Sequence, residues 1–230
     1  MTNPAGIPKD KLIEMAAGYG EPGINLALFI AAGALLKQKR WDGGDYATHW
    51  LWVADVMGEQ FTDEEKIVGI LHDVIEDSDW EIEDLEALGF SARICRAVDR
   101  LTKHENVPYL DGAVYCGHDP IARKIKKRDN RHNMQLTNSL IAATPKQRCL
   151  YHVSYAYLEA IDKDGVPVGQ PMWKFLMMPK YKGLLTDETY PIIAAAIGET
   201  PPLDVIRRFG QPPARQQKRK PAGDSPAPAI

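Results

Sequence analysis

The chain has 230 residues, of which 44% are apolar, 26% charged and 8% aromatic, long enough to bury a core within a single domain. That apolar content excludes disorder for the bulk of the chain, and 18 glycines and 17 prolines without a fixed period exclude collagen-like classes. A net charge of −3, from 28 basic and 31 acidic residues, argues against a protein built to coat nucleic acid.

Helical periodicity dominates from Lys9 to about Ile161, without a convincing alternating strand. The pattern predicts helices over residues 9–17, 22–39, 45–58, 63–77, 81–88, 90–103, 109–116, 120–142 and 145–162. Thr62-Asp63-Glu64-Glu65 reads as a capping box before an apolar run. Asp119-Pro120 and Thr144-Pro145 each put an acceptor at the N-cap and proline in the first turn. The longest largely apolar stretch, Ile24 to Leu36, has thirteen residues. A membrane span needs roughly twenty, so this stretch reads as a buried helix. The opening MTNPAGIPKDKLIEM lacks the basic and apolar regions of a secretory leader. Cys95, Cys116 and Cys149 form no CxxC pair and leave an odd one over, which suits a reducing, cytoplasmic compartment.

Beyond Ile161 the character changes. Lys163-Asp164-Gly165 signals a turn. Residues 164–190 read as loop and short elements, and Tyr190 to Ile197 as a short helix. From about Gly210 the chain is rich in Pro, Ala and basic residues and reads as a disordered, solvated tail. The expected organisation is a helical domain over 1–162, an extension over 163–210 packed on the same domain, and a disordered tail over 211–230.

The predicted helix from Thr62 carries His72-Asp73 and, one turn on, Glu76-Asp77, beside the apolar run Ile67 to Leu71. On a continuous helix all four project to one side. Three carboxylates and an imidazole beside a buried stripe are costly unless a cation is present. An acidic helix end with a structural histidine remains the plain alternative. Two other helices tilt the balance. Between Asp119 and residue 142, Ile121, Ile125, Leu136 and Leu140 form an inward stripe that Asp129 and Asn133 continue at i+4 steps. An unpaired polar group there costs about 1–3 kcal/mol and a lone charge more. Lys124, Lys127, Arg128 and Arg131 read as the solvated or phosphate-facing side of that helix. His49 lies in line with Tyr46, Val53 and Val56. Three such violations on three helices suggest one shared site of His49, His72, Asp73 and Asp129. Ligand chemistry alone allows Mn, Fe, Zn, Co or Ni.

These residues resemble the H…HD…D signature of the HD-domain phosphohydrolases. The hexapeptide His72-Asp73-Val74-Ile75-Glu76-Asp77 resembles the HDxxED variant of the alarmone hydrolases in the RelA/SpoT homologue family. Lys39-Arg40-Trp41-Asp42-Gly43-Gly44-Asp45-Tyr46-Ala47-Thr48-His49 is similar to that family's KR-x-G-x-PY-x-x-H segment. Residues Lys126 to Met134, KKRDNRHNM, are similar to its K-x-A-D-x-x-x-N-M segment, and Thr102-Lys103 to its helix-ending TK. The motifs come in family order across roughly Ala27 to Ile161. Differences occur at Asp45 and Trp50, where the family has proline, at Arg128, where it has a small residue, and at Gln135, where a basic residue is common.

The resemblance implies an all-α, HD-domain helical bundle that holds one divalent metal, usually Mn, on His49, His72, Asp73 and Asp129. It implies a small-molecule nucleotide substrate, a guanosine or adenosine alarmone of the stringent response, from which the 3′-pyrophosphate is hydrolysed. Water would attack phosphorus, with Glu76 and Asp77 as catalytic residues that orient or deprotonate it. Lys39, Arg40 and Asn133 would bind substrate, Arg40 toward the base or ribose and Asn133 toward the sugar–phosphate. About seventy residues follow Asp162, too few for a synthetase domain with regulators, so the resemblance is to the small, stand-alone hydrolase type. Neither a nucleic-acid nor a membrane partner is implied, and a homodimer is compatible with the pattern. Two alternatives stay open at this stage. One is an HD phosphohydrolase acting on NADPH, a nucleoside phosphate or a cyclic dinucleotide. The other is a non-catalytic nucleotide-binding or antitoxin-like protein.

Overall fold

The computed structural model describes residues 7–40, 43–56, 58–135 and 144–212. The tail expected over 211–230 lies almost wholly outside these residues, as do Leu136 and Leu140. The fold is all-α. Among the described residues the only extended pairing is a single antiparallel bridge between Lys39 and Asp45.

The helices are α1 (Lys9–Ala16), α2 (Ile24–Ala34), α3 (Ala47–Val53), α4 (Asp63–Leu71), α5 (Val74–Asp77), α6 (Ile82–Ala87), α7 (Ala92–Leu101), α8 (Tyr109–Cys116), α9 (Pro120–Met134) and α10 (Pro145–Lys163). Three shorter ones follow: α11 (Met172–Leu176), α12 (Tyr190–Ala195) and α13 (Leu203–Phe209). The helix starts follow the local chemistry. Thr62 Oγ1 accepts from the Glu65 amide at 3.3 Å while Glu65 Oε2 accepts from the Thr62 amide at 2.9 Å. Thr144 and Gln147 make the same reciprocal pair at the start of α10. Asp119 Oδ1 accepts from the amides of Ile121 and Ala122, ahead of Pro120 in the first turn of α9.

Several helices stop earlier than periodicity predicts. The stretch predicted to be helical to residue 39 ends at Ala34, and beyond it the chain reverses through Gly43, at φ +83°, and pairs Lys39 with Asp45. α3 ends at Val53, two residues before Asp55, which has a positive φ of 51°. Arg128 holds this end by donating to the Trp52 carbonyl at 2.7 Å and to Asp55 Oδ1 at 3.2 Å. The helix predicted over 63–77 is two helices, α4 and α5, separated at His72 and Asp73. His72 Nδ1 donates to the Gly69 carbonyl at 2.8 Å, the group that a continuous helix would offer to the Asp73 amide.

The interior holds two apolar clusters. The first gathers α1 to α7 with the start of α9, including Leu26, Ile30, Val68, Ile70, Leu71 and Ile125. The second joins Leu110 and Ala113 of α8 and Leu150, Tyr157 and Leu158 of α10 to Trp173, Phe175, Ile193 and Val205. Residues 164–190 hold only the short α11 and a single 3-10 turn, as the loop-like reading expects, and α12 forms where the short helix from Tyr190 was predicted; α13 is an addition, and the apolar side chains of this segment share a cluster with α8 and α10. All three cysteines are free. Among the described residues no helix is long and apolar enough to cross a membrane.

α4 is buried between α2 and α3, and Gly69 is where α3 comes closest. A Cβ at Gly69 would stand 2.6 Å from Ala54 Cα and 3.1 Å from its backbone nitrogen. Backbone cannot yield as a flexible side chain can, so Gly69→Ala is expected to force α4 from α3. The expected loss is about 1–3 kcal/mol. For a chain of this size that lowers the melting temperature by roughly 2–4 °C per kcal/mol, which a thermal melt monitored by circular dichroism would measure.

Candidate metal and nucleotide site

Three separate elements deliver the donor atoms. α3 contributes His49, the junction of α4 and α5 contributes His72 and Asp73, and α9 contributes Asp129. His49, His72 and Asp129 are buried and offer ligand atoms that all lie within 4.8 Å of one another. Asp73 joins them from the side: its Oδ2 is 3.0 Å from His72 Nε2 and 3.5 Å from His49 Nε2. His49 Nε2 is also 3.4 Å from Asp129 Oδ1. The buried cluster of His49, His72 and Asp129 could hold one metal ion.

The ring orientations fit a cation. The Gly69 carbonyl can only accept, so His72 Nδ1 carries the proton and Nε2 points into the cluster. That Nε2 is buried and makes no hydrogen bond of acceptable geometry. In the neutral ring its lone pair faces the Asp73 carboxylate, an arrangement that needs a proton or a metal in between. Burial alone would lower the pKa of His72, but the Asp73 carboxylate raises it to about 9. Burial would raise Asp73, yet the charge of His72 holds it well below the carboxylate range. The metal-free cluster therefore keeps a proton where a cation would bind. His49 faces the cluster with Nε2 while its Nδ1 lies 2.8 Å from His132 Nδ1, a contact that requires one shared proton. Burial and the neighbouring His49 push His132 down to about 4, so it is neutral and able to accept from His49.

Sequence reasoning passed over His132, and it also missed the roles of Lys126 and Tyr46. Lys126 Nζ donates to Asp129 Oδ2 at 2.8 Å. Burial would raise Asp129, but the Lys126 charge holds it below its ordinary value. The Tyr46 hydroxyl donates to Asp73 Oδ2 at 2.7 Å and lies 3.2 Å from Asp77 Oδ2. The available signal was spacing: Lys126 and His132 flank Asp129 at three residues on one helix, and Tyr46 precedes His49 by three.

A cavity of about 900 Å³ opens at the cluster and is lined by Asp73, Glu76, Asp77 and Asp129 together with Arg40 and Asn133. Glu76 and Asp77 are open to the cavity. Withdrawal from bulk water raises both, and the Asp73 and Glu76 carboxylates help bring Asp77 to about 6. Asn133 Nδ2 donates to Asp129 Oδ1 at 2.6 Å, and Arg40 donates to Asn133 Oδ1 at 3.2 Å. Lys39 is exposed at the cavity edge. The basic side of α9 departs from expectation. Lys124 pairs with Glu65 at 2.7 Å, Lys127 with Glu159 and Asp162 at 2.9 and 2.5 Å, and Arg128 with Asp55 at 3.2 Å. These cations join α9 to its neighbours and are not a phosphate-facing surface; of the four, Arg131 alone is exposed.

An all-α bundle that converges two histidines and two aspartates at one cavity is an HD-like architecture. No family model matches the chain. Over 108 residues, 43% of this chain, it is 33% identical to a GTP pyrophosphokinase of Streptomyces coelicolor, of which the match covers 13%. Over 112 residues, 44% of this chain, it is 30% identical to the guanosine-3′,5′-bis(diphosphate) 3′-pyrophosphohydrolase MESH1 of Danio rerio, of which the match covers 61%. The matches thus span less than two thirds of either relative. The chain is related to the SpoT and MESH1 type of protein.

Proposed function

We propose that this chain is a metal-dependent pyrophosphohydrolase that removes the 3′-pyrophosphate from guanosine or adenosine alarmones, (p)ppGpp or (p)ppApp. One observation carries the reading: the buried donor cluster opens into the cavity that also holds Glu76, Asp77, Arg40 and Asn133. The similarity to a 3′-pyrophosphohydrolase supports it. In this reading residues 1–162 carry the site, and residues 163–210 extend the same domain.

His49, His72, Asp73 and Asp129 would hold one divalent cation, which we assign as Mn. When bound, such a cation activates water and offsets charge on phosphoryl oxygens. Water forms the new bond to the 3′-phosphorus, and the bond from that phosphorus to the ribose 3′-oxygen breaks. The proton taken from the water balances the one that the departing 3′-oxygen gains, so pyrophosphate and a 3′-hydroxyl nucleotide result. Glu76 and Asp77 orient the attacking water and take its proton, a task suited to carboxylates whose proton affinity is raised toward neutrality. Tyr46 keeps Asp73 and Asp77 in register through its hydroxyl. Arg40 faces the base or ribose, Asn133 the sugar–phosphate, and Lys39 adds positive charge at the edge. Carboxylates alone would repel a polyanion, so these cationic and amide groups set the binding orientation.

The test is pyrophosphate release from ppGpp and ppApp by the purified full chain, with Mn added or chelated. Release from at least one alarmone, abolished by chelator and restored by Mn, is the expected result. Faster turnover of NADPH or of nucleoside triphosphates would replace the alarmone reading with the other phosphohydrolase alternative. Tight alarmone binding without release would favour a non-catalytic binding protein.

A further inference from the structure

The two histidines of the donor cluster are oriented by different means. A ring that offers Nε2 to a cation carries its proton on Nδ1, and the group that accepts from Nδ1 fixes which nitrogen faces the cation. For His72 that acceptor is a backbone carbonyl, at Gly69. For His49, among the described residues, it is a side chain: His132 Nδ1 lies 2.8 Å from His49 Nδ1. Position 132 is one that the family segment similar to residues 126–134 leaves open, so the resemblance gives His132 no task.

His132 is buried and held between rings of α3. Its ring centroid is 4.9 Å from that of His49 and 4.7 Å from that of Trp52. Trp52 is fixed in turn from α9. The Arg128 guanidinium sits 4.3 Å from the centroid of the Trp52 ring and donates to the Trp52 carbonyl at 2.7 Å. Asp55 Oδ1 accepts from the same guanidinium at 3.2 Å. The contacts thus alternate between α9 and α3 in the order Arg128, Trp52, His132, His49. At the end of this series His49 Nε2 faces Asp129 Oδ1, the donor that α9 supplies, at 3.4 Å. A small residue at 128, as the family has, could reach neither Trp52 nor Asp55.

Packing alone would be satisfied by any flat ring at 132. Two buried ring nitrogens this close are not, because without a proton between them their lone pairs repel. The contact is a hydrogen bond with a direction, from His49 to His132 whenever His49 Nε2 is a ligand.

We propose that His132 is a positioning residue for the metal centre: it accepts a hydrogen bond from His49 Nδ1 and so turns the His49 Nε2 lone pair toward the cation, while Trp52 and Arg128 hold it in place. The proposal rests on the reading above in which His49 is a metal ligand.

The test measures metal binding by the full chain, independently of turnover. Free Mn is followed by electron paramagnetic resonance during titration, and Co in place of Mn gives visible absorption that reports ligand geometry. His132→Phe keeps a flat ring against Trp52 but offers no acceptor. It should weaken metal binding by about 10- to 100-fold, the usual cost of losing such a partner, and alter the Co spectrum. His132→Asn, whose Oδ1 can stand where His carries Nδ1, should recover part of the affinity although it lacks the ring. Arg128→Met should weaken binding by a smaller factor, and added to His132→Phe it should cost no further affinity, because Arg128 acts through the acceptor. Melts without metal establish folding for each variant, and His132→Leu takes the place of His132→Phe if that protein does not fold. Wild-type affinity in the variant without an acceptor, or affinity in His132→Asn no better than in that variant, overturns the positioning role alone. A full additional loss from Arg128→Met in the double variant removes Arg128 from the device. Failure of the wild-type protein to bind either metal overturns the ligand reading, and the role of His132 falls with it.

Discussion

His72→Ala and Asp73→Ala should each abolish metal retention and pyrophosphate release together while the protein stays folded. The fold should survive because Ile67, Val68, Ile70, Leu71 and Val74 remain buried in the first apolar cluster around the junction, and burial of this kind supplies most folding free energy. Metal content after dialysis, measured beside turnover and a thermal melt, checks all three claims. Full activity of Asp73→Ala after chelator dialysis would refute the ligand assignment. The proton on His72 adds a pH dependence. His72 must be neutral to bind a cation, yet Asp73 keeps it protonated to about pH 9. Metal binding therefore releases a proton, and retention should strengthen as pH rises toward 9. The metal-free protein has the opposite slope. His72 has a raised folded pKa, so its pairing with Asp73 stabilises fully below the unfolded value of 6.5 and is lost as pH rises through about 9. Melts with and without Mn across that window should diverge with increasing pH.

Glu76→Gln and Asp77→Asn should lower kcat by about 10²- to 10⁴-fold, the usual worth of general-base assistance, while metal still binds. Neither change should weaken substrate affinity much, because each removes negative charge that faces a polyanion. Asp77, raised to about 6, must be ionised to accept a proton. The rate should therefore fall as pH drops through its pKa, and a bound cation nearby moves that acid limb below 6. If both were merely solvated acids at a helix end, their loss would cost tenths of a kcal/mol and leave turnover intact. Wild-type turnover in the double variant would sink the general-base role. Loss of metal from either variant would recast the residue as a ligand.

Much of this arrangement is legible from residue chemistry. The Thr62 and Asp119 caps mark helix starts because local hydrogen bonding decides them. Asp129 stands out because a carboxylate in line with Ile121 and Ile125 demands an explanation. What remains hidden depends on neighbours distant in sequence. Lys127 and Arg128 look solvated until Asp162 and Asp55 are brought beside them. His132 looks incidental until its ring meets His49. The break at His72 defeats periodicity because a side chain, not a proline or glycine, takes the helix carbonyl. α11, at five residues, is too short to display a period.

The second apolar cluster has a consequence for synthesis on the ribosome. When residues through Lys163 have emerged, α8 and α10 present Leu110, Val153, Tyr157 and Leu158 without Trp173, Phe175 and Ile193, the partners that bury them. At roughly 5–20 residues per second, translation supplies the missing segment within seconds. For that interval the nascent chain displays a sticky face, and because α8 also walls the cavity at the donor cluster through Tyr109 and Ala113, the cavity wall sets last. A nascent chain arrested with Lys163 just clear of the ribosome would therefore carry all the donor residues yet expose a face that chaperones should grip, whereas one arrested with Val205 clear should have that face covered.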